Sequence, residues 1–453
     1  MSNDDKLMEL TSLLGLDREE AVAEMLEAMA VQDIAGALAE LEADRRARLF
    51  ALLPEERQTD AFSYLPRGLQ FDFLDQLPTP DARRILGQML PDDRTSLLES
   101  APPEKLEEML GLLQADDLKL SLELLGYPEE SAGRLMTTRF VAVRPDWSVA
   151  RALDHIRHEA HRGETVHTVF VTDERGRLLD EIRLRDLILA RQDAAVASIM
   201  DEEVVSIEAS ADREQAVETI QHYDINTLPV TDRQGTLLGI VTVDDVMDVA
   251  QQEATEDFHK FGGAGAVSIS LRDATPGLLY RKRIGWLIIL VFVNLVSGLA
   301  IALFENAIET VIALVFFLPL IIASGGNAGS QSATLMVRAL ATGDVQMKDW
   351  FHLWGKELAV AILLGLTMAA AVSLVGVWRG GLDLAMVVAL AMVAVVIMGA
   401  MIGVLLPFIL QRFNFDPATA STPLITSVAD VLGILIYFSI AAALLDVSVP
   451  AVN

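Results

Sequence analysis

Chemistry in this 453-residue chain is concentrated in oxygen-bearing side chains. Asp430, in the run Ser427-Val-Ala-Asp430-Val-Leu-Gly433, is the only charge in an otherwise apolar stretch. A lone carboxylate in hydrocarbon costs on the order of several kcal/mol, so residues of this kind face an aqueous path and carry function. Asp416, Ser421, Thr422, Thr426 and Ser427 form a polar approach to it, and an oxygen-only set suits a hard cation such as Mg²⁺. A second stretch, residues 319–334, holds Gly325, Gly326, Gly329, Asn327, Gln331 and the hydroxyls of Ser324, Ser330, Ser332 and Thr334 inside another apolar run. Bare backbone and small polar groups are tolerated in lipid where they line a wet cavity or where they press tightly on a neighbouring helix. Both readings stand. A third set is acidic: Asp244, Asp245, Asp248, Glu253, Glu256 and Asp257 fall within fourteen positions.

The elements that must position these groups follow from composition. Residues 276–453 carry 8 Lys+Arg and 9 Asp+Glu, so 27 and 55 of the chain's 35 and 64 fall in residues 1–275, a net of −28 there against −1 beyond. An acidic field of that size repels phosphates, which excludes nucleic acid as a partner and favours cations. With no cysteine, disulfides and thiolate metal sites are excluded. The acidic N-terminal stretch has no apolar h-region and shows no signal peptide.

Residues 1–130 read as helical throughout. Pro54, Pro66, Pro78, Pro91 and Pro103 recur almost every twelve residues, mostly after a leucine and before an acidic or helix-favouring run. Proline ends one helix and is tolerated in the first turn of the next, so the spacing predicts an all-α superhelical stack of helices about eight to ten residues long. Asp92 and Asp93 sit at a helix start, where the dipole alone would favour them. No catalytic constellation is present.

Residues 131–250 alternate strands and helices twice, with a period of about 62 residues, as two copies of one α/β module. The second, residues 200–250, resembles a CBS domain through "INTLPVTDRQGTLLGIVTVDDVMDV"; the first, residues 131–199, resembles one through "LMTTRFVAV" and "HTVFVTDERGRLLDEIRLRDLIL". That resemblance implies a regulatory pair of the kind that commonly binds adenine nucleotides or metal ions. Its nucleotide pattern, Gly-x-x-Thr-x-x-Asp, is matched by Gly239, Thr242 and Asp245, so Thr242 and Asp245 are candidate nucleotide contacts and ATP a candidate regulatory ligand. The first copy keeps only Arg183 and Asp186 there. His155, His158, His161 and His167 lack supporting ligands and read as a solvated face.

Residues 251–283 read as a connector whose Arg281-Lys282-Arg283 abuts the membrane. From 284 to 453 the chain is a membrane domain with five apolar runs, at 284–304, 311–340, 358–378, 384–410 and 424–445, each long enough to cross the hydrocarbon core. With the N-terminus inside, cytoplasmic segments hold Arg281, Lys282, Arg283, Arg338, Lys348, Lys356 and Arg412, and outer segments only Arg379. This asymmetry puts the acidic half in the cytoplasm and the C-terminus outside.

The whole succession, with "PLIIASGGNAGSQSAT" in the second run and "DPATASTPLITSVADVLG" leading through the fifth, resembles the MgtE magnesium channels over essentially the full chain. The resemblance implies a homodimer in a bacterial inner membrane that takes up Mg²⁺ through a pore between subunits, lined by the second and fifth spans. Asp430 and Thr426 would hold the ion, with Asn327, Gly325, Gly326 and Ser427 lining its path. It also implies closure by cytosolic Mg²⁺ bridging carboxylates, which by position are Asp92, Asp93, Asp212, Glu214, Asp224, Asp245, Asp248, Glu253, Glu256 and Asp257. A carrier exchanging Mg²⁺ for Na⁺ or H⁺ is the alternative, because sequence does not separate channel from carrier.

Overall fold

The computed structural model describes residues 3–16, 18–159, 163–201, 203–265, 274–413 and 415–445. His161 and residues 266–273 of the connector lie outside them. The chain forms two compact units, residues 1–250 and 251–453.

The first unit begins with short helices running from Asn3–Gly15 to Ala115–Leu125. The prolines punctuate them as their spacing predicts. Pro54, Pro66 and Pro78 are N-caps, and Pro91 and Pro103 are first helical residues. Alternate helices stack: Val31–Glu40 on Glu55–Ser63, that helix on Thr79–Gln88, and that on Pro103–Leu112. Leu26, Ile34, Leu38, Leu49, Phe62, Ile85 and Leu97 fill the core between them. Short helices leave a large share of their carbonyls without intrahelical partners, and polar side chains on a twelve-residue spacing that skips Ala82 answer this. Arg46, Gln58, Gln70 and Arg94 each donate to the carbonyl eight residues earlier, on Leu38, Phe50, Phe62 and Leu86 respectively.

Two three-stranded sheets follow, with the same topology. In the first, β1 (Ala142–Val143) lies parallel to β2 (Thr168–Thr172), which pairs antiparallel with β3 (Leu178–Arg183). In the second, β4 (Ile207–Glu208), β5 (Thr227–Thr231) and β6 (Leu237–Thr242) repeat that order, down to an equivalent irregularity in the ladder near the end of the middle strand. The β2–β3 and β5–β6 turns exchange hydrogen bonds, Leu178 N to Gly235 O and Leu237 N to Gly176 O. Residues 131–137, which open the first module in the sequence, pack against the sheet of the second. Thr137 bridges to Ile240, and Ala132 and Met136 enter the core formed by Ile207, Leu228 and Val241.

The last helix of this region, Val243–Phe261, runs without a break through position 250. In the second unit, among the described residues, four helical elements are long and apolar enough to cross a membrane. They are Pro276–Ala302, Ala313–Ala341, Trp350–Arg412 and Thr422–Leu444. The third has 63 residues, roughly three times what one crossing needs. It doubles back at Gly380 and Gly381, whose φ of −152° and +79° interrupt the helix. Close approaches of Gly376 to Ala385 and of Gly365 to Val393 show the two arms lying antiparallel.

Ala313–Ala341 is the central element, packed on both arms and on Thr422–Leu444. Its glycines meet the packing requirement. A Cβ on Gly399 would lie 2.1 Å from the Gly325 carbonyl oxygen, one on Gly403 would lie 2.1 Å from that of Gly329, and one on Gly326 would lie 2.5 Å from Thr426 Cγ2. The helices therefore touch backbone to backbone, which only small residues allow. Phe317, Ile321, Val388, Met392, Val395 and Phe438 complete this core, and the Tyr437 hydroxyl donates to Leu314 O at 2.9 Å. Leu287, Val291, Phe292 and Leu295 of the first apolar helix stay exposed, as lipid-facing residues would.

Candidate metal centre

Three carboxylates from three separate elements converge in the first unit. Asp92 stands in the first turn of Pro91–Glu99, Glu164 in the loop before β2, and Asp245 in the first turn of Val243–Phe261. One oxygen of each lies within 4.8 Å of the other two. Opposite ligands on a single Mg²⁺ are about 4.2 Å apart, twice its usual bond length, so a small inward movement or one intervening water closes the set on the ion.

Each group is held by its own surroundings. Pro91–Glu99 is anchored by Arg94, which is 1% exposed, donates to Ser121 Oγ at 3.0 Å and pairs with Asp117 at 3.3 Å. Glu164 is placed by its own amide, which donates to Arg139 O at 2.9 Å. The Thr242 hydroxyl lies between the Asp244 and Asp245 carboxylates, 2.7 Å from Asp245 Oδ2. Two buried oxygens, Asp92 Oδ1 and Glu164 Oε2, have no hydrogen-bond partner. Unpaired buried acceptors are costly, and a bound cation would satisfy both.

Burial pushes all three carboxyls up, and repulsion from neighbouring carboxylates adds to it. Asp92 stands well above the usual carboxylate range, through burial first and then Asp245 and Glu164. Asp245 is raised to about 7 by burial, with Glu164, Asp244 and Asp93 adding, against the Thr242 hydrogen bond. Glu164 is raised by burial, opposed by Thr137 and Arg139. Asp93 is also raised by burial, with Asp244 and Asp248 adding and Ser63 and Arg67 opposing. Two opposing arginines do not neutralise this many acids, and a divalent ion would add two further positive charges among them.

The other candidate sensor residues are distributed differently. Asp212 caps the helix Arg213–Tyr223, accepting from Glu214 N at 2.9 Å, and Asp224 ends that helix in a left-handed conformation with φ of 53°. The three-carboxylate set contains neither, nor Glu214. Glu253, Glu256 and Asp257 belong to the second unit. There Lys260 pairs with Glu256 and Asp416. Asp257 is pushed up to about 6 by burial and by Asp416, with Lys260 opposing. Of the candidate nucleotide contacts, Thr242 and Asp245 bond each other, while Gly239 admits the chain at Thr137, whose carbonyl oxygen would lie 2.6 Å from an added Cβ.

Glu164 does not stand out in the sequence as a candidate ligand. Its one signal is the loop: five described residues, 163–167, precede the strand in the first module, against three, 224–226, in the second. Extra loop length in one of two repeats marks a place where function is added.

In the second unit, Asp430 lies one turn beyond Thr426 on Thr422–Leu444 and is partly exposed on the protomer. Gly325, Gly326 and Ser427 are buried within the chain, and Asn327 is exposed. The Ser332 hydroxyl donates to Glu357 Oε1 at 2.6 Å, so a second carboxylate reaches the central helix from the start of the long element.

Residues 318–440 match the family model described as a divalent cation transporter, MgtE; residues 13–130 match the MgtE intracellular N domain, and 132–193 and 196–251 match CBS domains. The chain is 42% identical over 323 residues to the magnesium transporter MgtE of Thermus thermophilus, covering 71% of this chain and 72% of that one. It is 35% identical over 359 residues to the magnesium transporter MgtE of Bacillus subtilis, covering 79% of each. Among solved structures, the soluble part of a magnesium transporter aligns with TM-score 0.53 and 30% identity, covering 56% of this chain and all of that one. The cytosolic domain of the Mg²⁺ channel MgtE in complex with ATP aligns with TM-score 0.51 and 34% identity, covering 54% and 99%.

Proposed function

This chain belongs to the MgtE family of magnesium transporters, and we propose that it works as a Mg²⁺-selective channel, closed when cytosolic Mg²⁺ fills its acidic sites. In this reading two protomers place Asp430 on either side of a shared axis, with Thr426 one turn away and Asn327 along the path. Two carboxylates hold a largely hydrated ion, which suits a cation that gives up water reluctantly. Gly325 and Gly326 serve the pore indirectly, by drawing the central helix onto Thr426 and the long element.

The observation that carries the closure is the convergence of Asp92, Glu164 and Asp245 with two unpartnered buried oxygens. Without divalent ions, self-repulsion of the acidic half favours separated surfaces. A bound Mg²⁺ cancels two charges and joins three elements. Asp93, Asp244 and Asp248 add to the attracting field. Since a full switch needs about 5 kcal/mol of differential binding, several ions act together, and Asp212, Glu214, Asp224, Glu253, Glu256 and Asp257 remain candidates for the other sites. The solved relative with ATP makes ATP a candidate modulator at Thr242 and Asp245. Orientation follows the positive residues, with the acidic half in the cytoplasm and the C-terminus outside.

Uptake by the purified protein in liposomes tests the pore. Asp430→Ala abolishes Mg²⁺ flux in a protein that still elutes as the wild type, and unchanged flux refutes the assignment. Unitary currents that fall with Mg²⁺ on the cytoplasmic face establish the gated channel. Flux that strictly requires a Na⁺ or H⁺ gradient, with no unitary current, establishes the coupled carrier instead.

A further inference from the structure

The end of the connector helix Val243–Phe261 is fastened to the entrance of the last apolar helix by a cation that the protein carries itself. Lys260 Nζ lies 2.7 Å from Asp416 Oδ2 and 2.8 Å from Glu256 Oε1. Asp416 uses its other oxygen to accept from Ala418 N at 2.8 Å, capping the short turn Pro417–Thr419 that leads into Thr422–Leu444. A force on Asp416 is thus passed to the helix bearing Thr426 and Asp430. Apolar contacts join the same two places. Phe261 packs on the cluster of Ala333, Val337, Ala418, Ala420 and Ile425, which belong to the two helices of the proposed pore and the segment leading into the second of them. Gly263, with φ of +73°, follows so closely that a Cβ would meet the Trp286 indole at 2.7 Å and Pro423 at 3.2 Å.

We propose that Lys260 is a positioning residue, a tethered latch that holds the connector end on the mouth of the last apolar helix by pairing with Asp416, in the absence of any divalent ion. The latch sets how readily the closed arrangement forms before Mg²⁺ arrives, and cytosolic Mg²⁺ then completes a closure already favoured. This rests on the reading of the chain as a Mg²⁺-closed channel. It concerns a protein cation, where that reading concerns bound metal.

The test uses the full-length protein in liposomes loaded with chelator, so that the cytoplasmic face sees no free Mg²⁺. Lys260→Gln and Asp416→Asn each remove the ion pair, and the asparagine retains an oxygen to cap Ala418. Each is expected to raise initial Mg²⁺ uptake about fivefold, the size expected of a partly exposed charge pair. The double variant is expected to raise it no further, because both changes remove one interaction, and Lys260→Arg is expected to stay near the wild type. Unchanged uptake in both single variants overturns the latch, as do lowered uptake or effects that multiply in the double variant. Parallel melting curves identify variants that fail to fold, and for a poorly folded pair the contrast between Lys260→Arg and Lys260→Met decides the matter in the same way. Wild-type uptake that ignores interior Mg²⁺ would refute Mg²⁺ closure while leaving the chelated comparison intact.

Discussion

Protons and Mg²⁺ should compete for the carboxylates of Asp92, Glu164 and Asp245, and the structure sets the size of the competition. Asp245 is raised to about 7. With that value it is about nine-tenths ionised at pH 8 and about one-tenth ionised at pH 6, so loss of its charge weakens Mg²⁺ binding about tenfold across the interval, or about 1.4 kcal/mol. Asp92, also raised well above the usual carboxylate range, adds to the effect. The sign follows from linkage. These carboxyls are raised in the folded arrangement, so the ion-free compact form is most stable below the ordinary carboxylate range. It loses stability as pH rises through about 7, where charge accumulates. Mg²⁺ restores stability in that upper range and releases protons as it binds. Calorimetric titration of residues 1–275 with Mg²⁺ at pH 6, 7 and 8, in buffers of different ionisation enthalpy, measures affinity and proton release together. We expect tighter binding at each higher pH and about half a proton released per ion at pH 7 from Asp245 alone. In Asp245→Asn, binding weakens and the pH dependence shrinks. Equal affinities at pH 6 and pH 8, with no proton release, would refute both the site and its electrostatics.

Three further perturbations have clear outcomes. Glu164→Gln keeps the shape of the loop residue but removes one charge, about 1–2 kcal/mol of attraction to a hydrated divalent ion at this separation, so the Mg²⁺ midpoint for closure rises roughly tenfold; flux at low Mg²⁺ stays at the wild-type level. Gly399→Ala forces a methyl group to 2.1 Å from the Gly325 carbonyl oxygen, which costs about 1–3 kcal/mol or more and lowers the melting temperature in detergent. Gly298→Ala, with no atom within 4 Å of the new methyl, leaves it unchanged. Arg94→Met removes the hydrogen bonds to Leu86 O and Ser121 and the pairing to Asp117; a loss of about 2–3 kcal/mol in urea unfolding is expected, with weaker Mg²⁺ binding because the helix carrying Asp92 is no longer anchored.

Much of this architecture is written in local pattern. A proline every twelve residues defines where each short helix starts, because proline's missing N–H and fixed φ act on its immediate neighbours alone. The apolar runs announce themselves because crossing hydrocarbon demands a continuous stretch of such residues. Asp430 stands out for the same reason: one charge in an apolar run is visible without any knowledge of what surrounds it. The 319–334 stretch supports both a wet wall and a packing seam when read as sequence. In the fold its glycines take up close packing, since Gly325, Gly326 and Gly329 meet Val395, Thr426 and Gly399 within one chain.

Other features depend on which distant residues meet, and no local pattern records that. The doubling back falls between the apolar runs 358–378 and 384–410, as their separation implies, but that Gly380 and Gly381 make it, and which residues of the two arms then meet, appears only in the fold. Residues 131–137 pack on the second sheet because Thr137 bridges to Ile240 and their apolar side chains find a partner there. The repeat of Arg46, Gln58, Gln70 and Arg94 has a purpose only once the preceding helix ends within reach of each side chain. Above all, residue types and their order are enough to make this chain acidic, helical, built on a tandem module and membrane-bound, since burial, helix punctuation and charge balance act residue by residue. Which carboxylates share a site is fixed by three-dimensional packing alone. Glu164 lies 72 positions from Asp92 and 81 from Asp245 in the numbering, yet their oxygens lie within 4.8 Å. Coulombic repulsion and the demand of a cation for several oxygens operate through space, and chain separation does not enter either one.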